Sequence, residues 1–224
     1  MDFNFLCKTA LFRGVTPEGA AEMLQCLGAE ERHYKKGRTI LQAGEPTESL
    51  GLVLSGRAQM EMDDLWGNRS ILGSAAPGFV FGETYACVPG EPLMINVTAA
   101  EDTDVLFLRV SRVLQTCPSA CSHHSRLVRN LLTLSAEKNL GLSRRIQHTT
   151  PKSIRGRLLA YLSFQATRSG GLEFTIPFDR QQLADYLGVD RSAMSAELSK
   201  MQREGLLQTR RNHFILSAAA AEQA

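Results

Sequence analysis

The chain has almost no excess charge of either sign. Its 25 Lys and Arg are offset by 23 Asp and Glu, for a formal net charge of +2 over 224 residues. That excludes a generally basic nucleic-acid binder, so any contact with a polyanion must come from a local patch. Long apolar runs are missing too. None approaches the ~18 residues that a membrane span requires, and no membrane role is expected. The opening residues, MDFNFLCKTALF, lack the basic start, long apolar core and small-residue cleavage site of a signal peptide, which makes a cytoplasmic location the expectation. Five cysteines, an odd number, do not suggest a secreted disulfide framework and read as thiols, ligands or core residues. Signs of catalysis are scarce. No Ser-His-Asp order, glycine-rich phosphate loop or paired carboxylate stands in a convincing context. The strand-rich stretch from Lys36 to Arg109 has no histidine with which to assemble a barrel metal triad, His33 lying just before it. No enzyme is expected.

What is present is a clear division of texture. Residues Met1 to Leu27 read as a helical lead-in: a turn at Gly14, then Thr16-Pro17 as cap and first helical position, then Ala20, Ala21, Met23, Leu24 and Leu27 at helical spacing. From Lys36 to Arg109 short β-rich runs alternate with turn residues. The runs are RTIL, LGLVLSG, RAQMEM, RSILG, FVFG, MINVTA and DVLFLRV. Such spacing predicts a small barrel or sandwich built from hairpins. A long helix follows, opened by Pro118, with Leu127, Leu131, Leu134, Leu142 and Ile146 in one row and Val128, Leu132 and Asn139 beside it. That band is wider than one contact surface needs, so the helix is expected to face its own barrel on one side and a second copy on the other. Leu131 is expected in the seam between copies, where an Asp would break the dimer. Thr149-Thr150-Pro151 ends the helix and forms a hinge. The expected divisions are 1–116, 117–148 and 149–224.

The C-terminal third carries the motif that organises the rest, FDRQQLADYLGVDRSAMSAELSKMQREG from Phe178 to Gly205. Asp179 with Gln182 three residues on forms a capping box. Leu183 and Leu187 give the first short helix one apolar stripe, and Gly188 supplies the turn. Asp190 caps a second helix whose buried side is Met194, Leu198 and Met201. Arg191, Ser192, Ser195, Ala196 and Ser199 are left facing outward. Short hydrogen-bonding side chains with an Arg near the N-terminus suit a DNA major groove. LLQTRRNHFIL then reads as a β-hairpin wing with Arg210 and Arg211 at its tip, within reach of a phosphate backbone. Arg and Lys recur from Lys152 to Arg211, which supplies the local patch.

Three segments in this order, GEPTESLGLVLSGRAQM (Gly44 to Met60), PGFVFGE (Pro77 to Glu83) and FTIPFDRQQLADYLGVDRSAMSAELSKMQREGLL, resemble the Crp/Fnr family of bacterial transcription regulators over most of the chain, from about Phe12 to Leu216. The resemblance implies an α+β fold: an N-terminal β-roll of the cyclic-nucleotide-binding, jelly-roll kind, a long central dimerisation helix and a C-terminal winged helix-turn-helix domain. It implies a homodimer on a palindromic DNA site, an effector in the roll that biases the recognition helices, and RNA polymerase as a partner if the protein activates. Carried over by position, Arg191, Ser192, Ser195, Ala196 and Ser199 read DNA, Arg180 and Gln181 clamp its backbone, and Arg210 is the wing clamp. Many relatives carry a second Arg where this chain has Ala196, so the usual half-site is not implied.

The cyclic-nucleotide readers of the family hold ribose with Gly-Glu and the cyclic phosphate with an Arg-Ser or Arg-Thr pair. Here Gly82 and Glu83 are present, but the pair is Leu93-Met94, and Leu142 stands beside Ser143 on the central helix where the base would meet it. A phosphate would find no cation, so cyclic AMP is not the expected effector. An apolar or aromatic small molecule near Leu93 and Met94 is one alternative. Another uses Cys117, Cys121 and His124, at i, i+4 and i+7, with Cys87. These could take zinc, an iron–sulfur cluster or haem, or act as redox thiols. Against that, free cysteine often only packs. A rival to DNA binding is a ligand-binding roll that regulates a protein partner without reading DNA.

Overall fold

The computed structural model describes residues 1–63, 66, 69–114 and 122–217. Contacts divide the chain into two compact units, Met1–Glu137 and Lys138–Ala224.

The first unit opens with the lead-in. Helix α1 (Phe3–Lys8) is capped by the Asp2 carboxylate, which accepts from the Asn4 and Phe5 amides. Helix α2 (Pro17–Leu27) is capped by Thr16, with proline at its start as expected. The strands follow: β1 (Glu30–Tyr34), β2 (Thr39–Leu41), β3 (Ser49–Ser55), β4 (Ala58–Asp63), β5 (Arg69–Ala75) and β6 (Val80–Phe81), then the short helix α3 (Glu83–Ala86), β7 (Asn96–Ala99), β8 (Thr103–Arg109) and helix α4 (Val110–Leu114). They form two four-stranded antiparallel sheets, ordered β1-β8-β3-β6 and β2-β7-β4-β5. Between the sheets lies a core of Ile40, Val53, Ala58, Ala75, Phe81, Val97, Ala99, Val105 and Phe107.

Strands β3 and β8 are buried on both faces, and their side chains alternate between two cores. Val53, Val105 and Phe107 point into the roll. Leu50, Leu52, Leu106 and Leu108 point the other way, into a helical core with Leu6, Leu11, Phe12, Leu27 and Leu127. Gly51 is needed between Leu50 and Leu52, because a Cβ there would sit 2.4 Å from the Phe81 ring. Seven of the eight strands lie where short apolar runs predict them. The exception is β1, which moves the start of the sheet ahead of Lys36 and brings His33 into a strand, 2.7 Å from Asp104 Oδ1.

Helix α5 (Ser122–Thr149) is long, as expected. The expected start at Pro118 lies outside the described residues. Leu127 and Leu131 are buried in the helical core. Arg126 donates to the Gly14 carbonyl at 2.7 Å, and Asn130 to those of Leu11 and Arg13 at 2.9 Å each. This corrects the assignment of Leu131 to a seam between copies, because it packs within its own chain. Leu132, Leu142 and Ile146 are instead 69, 63 and 64 % exposed. The helix ends at the expected break, and Thr150 N–H and Oγ1 both bond to the Ile146 carbonyl, at 2.8 and 2.7 Å.

In the second unit, Ser153 caps α6 (Ile154–Ser169). Strand β9 (Glu173–Thr175), helices α7 (Arg180–Leu187) and α8 (Arg191–Arg203), and strands β10 (Leu207–Arg210) and β11 (His213–Leu216) complete it. The sheet order is β10-β11-β9, so the expected two-stranded wing gains a third strand. One core joins Leu158, Tyr161 and Leu162 of α6 to Leu183 and Leu187 of α7, Met194, Leu198 and Met201 of α8, and Phe174 and Phe214 of the sheet. The architecture is α+β, with antiparallel sheets throughout.

Candidate nucleic-acid interface

Local chemistry places the two short helices. Asp179 Oδ1 accepts from the Gln182 amide at 2.8 Å, and Gln182 Oε1 accepts from the Asp179 amide at 2.9 Å, completing the capping box. Gly188 turns the chain at φ 63°, a left-handed value that glycine adopts without strain. Asp190 caps α8 through the Ala193 amide at 2.8 Å. The Ser192 hydroxyl and backbone amides that this carboxylate accepts from hold it below the usual carboxylate range.

With Met194, Leu198 and Met201 buried, α8 exposes Arg191, Ser192, Ala196 and Ser199, and leaves Ser195 half-buried. The serines are already committed as donors. Ser192 Oγ donates to Asp190, Ser195 Oγ to the Arg191 carbonyl and Ser199 Oγ to the Ser195 carbonyl, the last two at 2.9 Å. A hydroxyl that has donated keeps acceptor lone pairs. Toward a groove the serines therefore offer acceptors, which suit the amino groups of adenine or cytosine. Arg191 is the only base-contact candidate with donors.

Arg180 does more than the sequence indicates. Its Nη2 donates to Thr209 Oγ1 at 2.8 Å and its guanidinium lies 5.1 Å over the Phe214 ring, so it joins α7 to the wing. Its Nη1 is buried and has no hydrogen-bond partner among the described residues. Burial pushes its pKa down, though an arginine stays cationic. Gln181 is exposed, its Nε2 bonded to Asp185 at 2.8 Å. At the wing tip Arg210 is exposed, and Arg211 adopts φ 55°, the one positive value for a non-glycine among the described residues. Asn212 fixes the tip: its Nδ2 donates to the Ile176 carbonyl at 3.0 Å, while its own carbonyl accepts from the Ile176 amide at 2.9 Å.

These contacts enclose a cleft of about 620 Å³ between the start of α7, the start of α8 and the wing tip. Arg180, Arg191 and Arg211 line it, with Gln181, Asn212 and one acidic residue, Asp179. Three cations against one carboxylate leave the cleft with an excess of positive charge that favours an anion. Arg211, expected at the wing tip within reach of phosphate but not as the clamp, lines the cleft, whereas Arg210, the expected clamp, does not. The signal was the Arg-Arg pair at the wing tip, but which of the two turns inward depends on the turn geometry.

The residues carried over as an effector site are less unified. Gly82 caps α3, and Glu83 behind it is buried. Leu93 is 4 % exposed whereas Met94 is 73 % exposed, its amide donating to the Tyr85 hydroxyl at 3.4 Å. The pair therefore diverges, one side chain in the core and the other in solvent. Leu142 and Ser143 are exposed and belong to the second unit. Of the candidate ligands, Cys117 and Cys121 lie outside the described residues. Cys87 is a free thiol whose pKa is raised by burial and then by Glu83, which opposes the thiolate that a metal needs. His124 is buried and its Nε2 donates to the Val113 carbonyl at 2.8 Å. No group of three or more His, Cys, Asp or Glu among the described residues is placed to hold a metal. Nor is any described helix long and apolar enough to cross a membrane.

Comparison with known proteins matches residues 31–119 to the cyclic nucleotide-binding domain and residues 156–221 to the Crp-like helix-turn-helix domain. The chain is 25% identical over 201 residues to the transcriptional regulatory protein btr of Bordetella pertussis, covering 85% of this chain and 78% of that one. It is 27% identical over 198 residues to the cyclic AMP receptor protein of Thermus thermophilus, covering 88% and 87%. Among solved structures, the Thermus thermophilus catabolite activator protein is similar with a TM-score of 0.50 and 26% identity, over 96% of this chain and 97% of that one. The roll, the helix-turn-helix with its arginine-lined cleft and these relatives agree: the chain belongs to the Crp/Fnr family of effector-responsive, DNA-binding transcription regulators, not to a family of enzymes.

Proposed function

We propose that the protein works as a homodimer on a palindromic operator, with Arg191 reading base edges and Arg180, Gln181, Arg210 and Arg211 holding the backbone. The observation that carries this is the arginine-lined cleft at the starts of α7 and α8. It supplies positive charge locally on a chain whose net charge is only +2, and a helix N-terminus adds a favourable dipole for a phosphate. The exposed Leu132, Leu142 and Ile146 on α5 support a helix-to-helix dimer. With two-fold symmetry, half-sites fall about one helical turn apart.

The effector is not cyclic AMP in this reading, because Leu93 and Met94 provide no cation for a cyclic phosphate. The site works in the cytoplasm and, if the protein activates, beside RNA polymerase. Selection of bound duplexes from a random library, followed by binding titrations across salt, tests the proposal. A two-fold symmetric consensus with affinity falling steeply in salt is expected. Recovery of no consensus, or binding indifferent to salt, overturns it.

A further inference from the structure

A carboxylate on a helix that approaches phosphates is a liability, and α8 has two on one flank. Glu197 sits at its midpoint and Glu204 is its C-cap. Seven residues apart, they project within roughly 20° of each other around the helix, away from Ser192, Ala196 and Ser199. One side chain engages both. Arg155, in the first turn of α6, donates through Nε to Glu197 Oε1 at 2.6 Å. Its two terminal nitrogens meet Glu204, Nη1 to Oε2 at 2.8 Å and Nη2 to Oε1 at 3.0 Å. Arg155 and Glu197 are partly buried, and Glu204 is exposed. Only a guanidinium can make this double fork, since an ammonium is a single point of charge.

Two residues on, Arg157 performs the matching task for the turn. Its Nε donates to the Pro151 carbonyl at 2.9 Å, and Nη1 to those of Leu187 and Gly188 at 3.0 Å each. The first turn of α6, capped by Ser153 just past the end of α5, thus grips the helix-turn-helix at two separate places. Arg157 holds the α7–α8 turn, and Arg155 holds the body of α8.

We infer that Arg155 is a positioning residue for DNA recognition, fixing the pitch at which α8 is presented and keeping the Glu197 and Glu204 carboxylates turned from the phosphates. The inference rests on the DNA-binding reading above. It assigns specificity to a residue that makes no contact with a base.

The test uses the full chain, the operator it selects, and a scrambled duplex of equal length. Arg155→Lys keeps the charge and removes the fork. It is expected to weaken operator binding by on the order of tenfold, about the worth of one misplaced base contact, with little change on the scrambled duplex or in the salt slope. Glu197→Gln with Glu204→Gln should weaken operator binding while tightening the scrambled duplex, because two negative charges are gone. A contact that only stabilises the fold would not move the two duplexes in opposite directions. Circular dichroism checks folding, and if Arg155→Lys unfolds, the double Gln variant decides. Equal losses on both duplexes, or unchanged discrimination, overturn the inference. A wild-type chain that selects no operator overturns the DNA reading itself, and this inference with it.

Discussion

The two units differ in where their surface cations find partners. On the roll three cations are paired: Arg32 with Glu30, Lys35 with Asp102, and Arg57 with Glu101 at 3.9 Å. His33 meets Asp104, which also accepts from Ser55. Arg191 and Arg211 at the wing cleft, and Arg210 beside it on the wing, have no carboxylate partner among the described residues. Matched pairs in solvent contribute little to stability, typically under about 1 kcal/mol. Unmatched cations gathered around a cleft cost stability, and they persist where a partner's charge will complete them. The second unit does keep one strong ion cluster, Arg155 with Glu197 and Glu204, and it lies on the flank turned from the cleft.

The largest effect on binding is expected at Arg191. Replacement by Ala should cost ~1–3 kcal/mol of discrimination between operator and scrambled duplex, read by fluorescence anisotropy. Equal loss on both duplexes would make Arg191 a phosphate contact and remove base reading from the contrast. Arg211→Gly comes next, and its two effects should point in opposite directions. Binding should weaken on every duplex and the salt slope should fall by about one unit. Stability should rise by up to about 1 kcal/mol, because a left-handed backbone disfavours a side chain. A thermal melt with no gain would show that φ 55° is not a strained position.

A third test probes the cationic bias inside the second unit. His148 is buried, bonded through Nδ1 to the Tyr186 hydroxyl at 2.9 Å and packed on Tyr161 and Phe164, with Arg144 and Arg145 nearby. Its pKa is lowered from 6.5, by burial first and Arg144 second. The unfolded chain thus binds the proton more readily than the folded one. Stability should be flat above the unfolded value and decline as pH falls through 6.5 toward the depressed folded value. Denaturant melts of wild type and His148→Phe between pH 7.5 and 5.5 check this, and an equal slope in both would assign the dependence to other groups. The smallest effect belongs to the roll. Arg57→Ala should change stability by less than about 1 kcal/mol and leave DNA affinity alone.

What could be read from sequence follows how local each cause is. Asp179, Gln182, Asp190 and Gly188 act within a few residues, and the two helices of the DNA-binding unit start and stop where those residues dictate. Strands β2 to β8 were legible because apolar runs and turns alternate. Strand β1, EERHY, has no apolar alternation. It is an edge strand whose residues are almost all exposed, held to β8 by backbone pairing and by contacts such as His33 with Asp104 that only the fold reveals. Only proximity reveals the second task of Arg180, since Thr209 and Phe214 lie far along the chain. Leu131 was misassigned because periodicity shows that a face is apolar but not which of two surfaces it meets. Leu93 and Met94 were legible as lacking charge, yet their opposite burial depends on the fold around them.

Strands β3 and β8 serve two cores at once, and this limits how the gene can change. Elsewhere a single inserted codon at a strand turns an apolar face to water. Here it would send Leu50 and Leu52 into the space shaped for Val53, and the roll's residues into the helical layer. Both ends of the strand pair would misfit together, with no solvent-facing side to absorb the error. Single-residue insertions and deletions should therefore be purged from these two strands, while β1 and the turns between hairpins accumulate them.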